Sequence, residues 1–253
     1  MCFEPDSEPP VENGPQGDVS TTSLTLTAAD GARFQAFSAR PARPSGAGVV
    51  VLPDVRGLYR FYRDLAVRFA EFGHAAVAID YFGRTAGIGD RDDPDFPFMD
   101  HVNKTTREGV QADVDAAVAY LRSPDGGTCR SVFTVGFCFG GRRSLLAPAL
   151  GGALTGVVGF YGRPVTGPDG PGPADLAGEL STPVLALFGG ADPAIPPEDV
   201  SALEAALAAA GVDHEVVTYP GAPHSFFDRK YEEHAEASAD AWRRVLAFID
   251  RLS

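Results

Sequence analysis

Residues 131–142 read SVFTVGFCFGGR: a β-branched run, then Cys138 flanked by glycines, then the helix-forming stretch RRSLLAPAL. Gly136, Gly140 and Gly141 remove Cβ atoms where a strand and the helix after it would crowd a sharp turn. Such a turn is useful only where a buried strand delivers the chain to a helix N-terminus. The segment therefore restricts the fold to layered strands and helices, with Cys138 at the carboxyl end of a sheet. There, unpaired N–H groups and the positive end of the helix dipole favour a thiolate. On its own, a cysteine is more often a small buried apolar residue. The glycine spacing does not fit the dinucleotide fingerprint G-x-G-x-x-G.

The rest of the chain agrees with a layered fold. Residues 1–19 are rich in Pro, Glu and Gly and lack periodicity, which predicts an irregular arm, with the boundary at about residue 20. TSLTLTA and RFQAFSA, separated by Asp30-Gly31, predict an antiparallel hairpin. GAGVVVLP (46–53) and HAAVAID (74–80) are continuous apolar runs of the kind buried on both faces of a parallel sheet. Phe61, Leu65, Phe69 and Phe72 recur at helical spacing between them. Residues 81–107 form a polar and aromatic excursion, too long for a simple connector and expected to be a lid or binding element. Then follow helix 108–122, strands SVFTVGF, TGVVGFY and PVLALFG, helix 198–210, strand HEVVTYP and a helix from Glu232 to Leu252. The alternation indicates an α/β fold, a mostly parallel twisted sheet with helices on both faces. No composition break divides it, so residues 21–253 are expected to form one domain.

Two more segments carry chemistry. PVLALFGGADPAIP puts Asp192 just past a strand, 54 residues after Cys138, and HEVVTYPGAPHSFF puts His224 past the next strand, 32 residues further on. Nucleophile, acid and histidine in that order, each at a strand end, are the arrangement of hydrolases with a nucleophile elbow. His224 would take and return the proton while Asp192 fixes its tautomer. The oxyanion would be held by the N–H of Phe139 and by one from the loop LPDVRG, with Val55 as the candidate.

The segments VVLPDVRG, AIDYFGR, GFCFGG, VGFYG, LFGGADPAIP and YPGAPHSFFD, in this order over about residues 45–250, resemble the dienelactone hydrolase family. That resemblance implies an α/β-hydrolase fold, a Cys-Asp-His triad, and hydrolysis of a lactone or enol ester through a thioester. It also implies an acid after the third strand that helps ionise the thiol; the matching residue is Asp54, one methylene shorter than the usual Glu. The family prototype holds a substrate carboxylate with an Arg four residues beyond the histidine, where this chain has Asp228, followed by Arg229. Tyr81, Arg84, Tyr161 and Phe226 lie in segments expected at the carboxyl edge of the sheet and, with Arg229, are the substrate-binding candidates.

Composition narrows the remaining options. A net charge of −13 and a pI near 4.7 argue against nucleic acid and anionic membrane as partners. Six acids and no base fall within the first 30 residues. Three cysteines cannot form a fully paired set and suit a reducing cytoplasm. Asp90, Asp92, Asp93 and Asp95 lack the turn glycine and closing Glu of a calcium loop. No metal and no organic cofactor is expected, and the state expected is a monomer or weak homodimer. The competing reading is a non-catalytic protein that binds a small molecule in the same pocket.

Overall fold

The computed structural model describes residues 7–228 and 232–253. Its strands are β1 (Val19–Thr27), β2 (Arg33–Pro41), β3 (Ala47–Leu52), β4 (Ala75–Ile79), β5 (Ser131–Phe137), β6 (Gly156–Phe160), β7 (Val184–Gly189) and β8 (His214–Tyr219). They form one sheet in the order β1-β2-β4-β3-β5-β6-β7-β8. The hairpin β1–β2 and the pair β2–β4 are antiparallel; every pairing from β4 to β8 is parallel. Strand order reverses beside β3, so the carboxyl ends of β3 and β5 flank the crevice where open α/β sheets hold ligands.

The strands β3 to β7 are apolar on both faces because both faces are covered. Val49, Val51, Ala76 and Ala78 join the core beneath α1 (Arg60–Glu71) and the carboxyl-terminal helix Ala235–Leu252. Their neighbours Val50, Leu52, Val77 and Ile79 face the other way, against Val110, Val114 and Leu121 of the helix Arg107–Arg122. The period of two along each strand thus feeds two separate cores. The carboxyl-terminal helix begins at Ala235, three residues later than its apolar stripe suggests, and β1 begins at Val19, within the stretch expected to be irregular.

The excursion after β4 is only partly irregular. It carries α2 (Gly83–Ala86) and α3 (Phe98–Val102) before α4 (Arg107–Arg122). Arg91 anchors it: Nε donates to Asp80 Oδ2 at 3.0 Å, a second nitrogen reaches the Gly87 carbonyl, and the guanidinium lies 4.5 Å over the Phe96 ring. Both partners of this ion pair are buried. Burial pushes the Asp80 carboxyl above its usual range, and the adjacent Arg91 limits that rise. Among the described residues, no helix is long and apolar enough to cross a membrane.

Candidate active site

The strand β5 runs into α5 (Phe139–Leu146) through Cys138, whose backbone has φ 53° and ψ −110°. A side chain in that region is strained, and such strain persists only where the surroundings over-determine it. Here they do. The Cys138 N–H donates to the Phe160 carbonyl at 3.0 Å, and its carbonyl accepts from Arg142 N at 3.1 Å. The glycines allow the approach: a Cβ on Gly136 would sit 2.1 Å from the Gly140 carbonyl oxygen, and one on Gly140 2.2 Å from that of Pro53. The turn leaves Cys138 partly exposed and lining a cavity of about 980 Å³.

Asp192 and His224 arrive from the ends of β7 and β8. The Asp192 side chain is only 1% exposed; its Oδ1 accepts from Ala194 N at 2.8 Å, and its Oδ2 lies 2.6 Å from His224 Nδ1. A carboxylate so placed holds the proton on Nδ1 and leaves Nε2 as the basic nitrogen. The imidazole is a quarter exposed, lies 4.9 Å from the Tyr161 ring, and lines the same cavity as Cys138.

The loop after β3 faces them. Asp54 is fully buried, its Oδ1 accepting from Arg56 N at 2.8 Å, and Gly57 N closes a turn on the Asp54 carbonyl. Val55, at the tip of the turn, lines the cavity beside Phe139, the first residue of α5. The hydroxyl of Tyr81 donates to the Pro53 carbonyl at 2.6 Å and to the Asp54 carbonyl.

Cys138, His224, Phe139, Val55 and Tyr161 therefore meet at one cavity, with Asp192 behind the histidine. The binding candidates Tyr81, Arg84 and Phe226 do not. Arg84 bonds to both oxygens of Asp113 at 3.0 Å and to Asp30, so it fastens the excursion to α4 and the hairpin turn. Tyr81 is buried under the loop after β3 with its ring on Phe139, and Phe226 is buried between Tyr161 and Tyr219. Large apolar rings at a sheet edge gain more from burial than from lining a wet cleft. Arg229 lies outside the described residues. Instead the cavity is walled by Met99 and Val102 of α3, by Arg107, and by Arg142, Arg143, Arg163 and Asp169. The doublet Arg142-Arg143, just after the glycines, is a readable signal: the first turns of a helix that starts beside Cys138 border the cavity that Cys138 lines.

The strand order, the strained cysteine turn and the pairing of a buried acid with a partly exposed histidine define an α/β-hydrolase. Comparison with known proteins gives the branch. The sequence model of the Dienelactone hydrolase family matches residues 34–253. A Salmonella typhimurium protein carrying the name carboxymethylenebutenolidase is 34% identical over 247 residues, 95% of this chain and 91% of its own. A Klebsiella pneumoniae structure named for a dienelactone hydrolase superposes with TM-score 0.80 at 30% identity, over 92% of this chain and 99% of that one. A dienelactone hydrolase-like promiscuous phosphotriesterase from metagenomic libraries gives 0.73 at 25%, over 93% and 99%. The chain belongs to the dienelactone hydrolase family and is a carboxylic ester and lactone hydrolase.

Proposed function

We propose that the protein hydrolyses lactones or activated esters, enol esters above all, through a thioester on Cys138. The Cys138 thiolate adds to the substrate carbonyl carbon, and the oxygen takes up the negative charge between the amides of Phe139 and Val55. The tetrahedral adduct collapses, the carbon–oxygen bond to the leaving group breaks, and protonated His224 Nε2 gives it a proton. Water then attacks the thioester, His224 takes its proton, and the thiolate leaves as the carboxylic acid forms. Asp192 holds the imidazole throughout and steadies its positive form. Asp54, beneath Val55, modulates the sulfur's charge.

A thiolate is a better leaving group than an alkoxide, so the first adduct partitions forward only when the departing oxygen is stabilised. That is why the reading favours enolates and phenolates over simple alkyl esters. The observation that carries it is the 2.6 Å Asp192–His224 contact on the wall of the cavity that the strained Cys138 lines. The test is turnover of p-nitrophenyl and enol-lactone substrates by wild type and Cys138→Ala, with intact-mass detection of an acylated wild type. Abolished turnover and a wild-type acyl adduct are expected. Undiminished activity in the variant would sink the assignment.

A further inference from the structure

The Val55 amide sits on a loop with little regular structure of its own. Beyond Val55, the residues from Arg56 to Tyr59 carry the chain into α1. Gly57 has φ 83°, and the Tyr59 N–H donates to its carbonyl at 3.0 Å. The aim of such a loop depends on how its two ends are held. At the entry, β3 is fixed by parallel pairing with β4 on one side and β5 on the other. At the exit stands the first turn of α1, which lacks local support. Tyr59 at the N-cap makes no side-chain cap bond, and the first turn carries no acid. The first amides of a helix need acceptors and favour a nearby negative charge.

Asp92, in the excursion after β4, supplies both from 32 positions away. Its Oδ1 accepts from the Arg60 N–H at 2.7 Å, and its Oδ2 pairs with Arg63 one turn on. Asp92 is itself held in place, because its N–H donates to Asp90 Oδ1 at 3.0 Å. The residue before it, Arg91, is the buried anchor bonded to Asp80. Asp80 lies directly below the loop. A Cβ on Gly57 would come within 3.1 Å of Asp80 Oδ1, and the Leu58 amide, like Arg91, works against the rise that burial imposes on this carboxyl.

A third contact lies farther along the excursion, where the Phe98 ring of α3 stacks 5.1 Å from the Arg56 guanidinium. Arg56, the stretch Gly57-Leu58 and the start of α1 therefore each meet the excursion. The same excursion walls the cavity with Met99 and Val102 of α3. One segment thus borders the space for substrate and braces the loop that carries Val55. Asp92 does not line the cavity, so its influence on the reaction can run only through the loop.

We propose that Asp92 is a positioning residue for the hydrolysis: it caps α1 from the excursion and thereby fixes the loop that aims the Val55 amide at the developing oxyanion. The inference rests on the thioester reading, with Val55 as one of the two donors. Arg91 and Phe98 seat the excursion for this task. Because the oxyanion exists only after the thiolate has added, a misaimed amide weakens the transition state and leaves substrate binding in place.

The test compares wild type, Asp92→Ala and Asp92→Asn, assayed well below their melting transitions. Two readouts are taken: kcat and KM for p-nitrophenyl butyrate, and the inhibition constant of phenethyl trifluoromethyl ketone. The Cys138 thiolate adds to the ketone carbon, the carbonyl electron pair moves to oxygen, and nothing leaves, so the adduct keeps its oxyanion between the two amides. At this surface position, 36% exposed, Asp92→Ala should fold, with Tm lower by roughly 2–6 °C for the lost cap. Its kcat should fall about 5- to 50-fold with KM within about threefold of wild type, and the ketone should bind more weakly by about the same factor as kcat/KM falls. Asp92→Asn keeps the acceptor for Arg60 N–H and gives up only an exposed ion pair, so both readouts should return to within about threefold of wild type. A kcat within twofold of wild type in Asp92→Ala, an unmoved ketone constant, or an Asn variant as poor as the Ala variant overturns the proposal. Failure of the underlying reading would already show in wild type, as a trifluoromethyl ketone that binds no more tightly than its methyl ketone counterpart.

Discussion

Replacing Tyr81 with Phe removes a single oxygen, and the structure dictates what should follow. Tyr81 is fully buried, and burial, with the Asp54 charge beside it, pushes its phenol well above the ordinary value, so it stays a donor. Its hydroxyl reaches the carbonyls of Pro53 and Asp54. The Asp54 carbonyl and the Val55 N–H belong to one planar trans peptide, so they point in opposite directions. Holding the carbonyl toward Tyr81 therefore aims the Val55 amide to the other side of the loop, as the proposed oxyanion donor requires. In Tyr81→Phe the Asp54 carbonyl keeps its bond from Gly57 N at 3.2 Å, whereas Pro53 loses its 2.6 Å donor. One buried acceptor left unsatisfied costs about 1–3 kcal/mol. In a chain of this size that lowers Tm by roughly 3–10 °C. A whole oxyanion donor is worth roughly 10²–10³ in kcat, which sets the ceiling. An amide still present but no longer aimed should cost about 5- to 100-fold. Steady-state kinetics on a p-nitrophenyl ester should show that loss in kcat, with KM within about threefold of wild type because the ground-state pocket is untouched. A kcat within twofold of wild type, in a protein that has nonetheless lost the expected stability, would refute the positioning argument.

Two further outcomes follow from other parts of the molecule. Asp192→Asn keeps the size of the side chain but no longer fixes the Nδ1 proton of His224, and kcat should fall on the order of 10²–10⁴-fold with the fold intact; near-wild-type turnover would remove Asp192 from the mechanism. Burial raises the Asp113 carboxyl to about 7, and Arg84, which it shares with Asp30, only partly offsets that rise. The folded chain then holds this proton more tightly than the unfolded one, whose carboxyl titrates near 3.9. Its stabilising contribution is complete below about pH 4 and is lost as the pH climbs through 7, by up to about 4 kcal/mol. Thermal melts from pH 5 to 9 should therefore show a steeper decline for wild type than for Asp113→Asn, and parallel curves would contradict the assignment.

The comparison of Arg84 with Arg143 shows where residue reading reaches its limit. Both are arginines close in sequence to site residues, and the sequence reading selects Arg84 as a pocket residue. In the folded chain Arg84 finds Asp30 and Asp113, partners 54 and 29 positions away, and turns from the pocket. Arg143, two residues past a glycine pair, has no acid near it in sequence, and Asp169 reaches it only because Arg142 holds segment 163–171 across the cavity rim. Tyr81 follows the same logic: its type suggests a pocket wall, and burial makes it a peg for the loop after β3.

The sequence by itself determined the layered fold, the cysteine turn and the order in which acid and histidine follow it. These depend on local facts: apolar runs that must be covered on both faces, glycines where no Cβ fits, and polar residues at strand ends. Only the tertiary structure decided which charged groups face the cavity and which neutralise each other. Ion pairs and buried hydrogen bonds are contacts across many positions of chain, chosen by geometry within a few ångströms, and residue type carries almost no record of them.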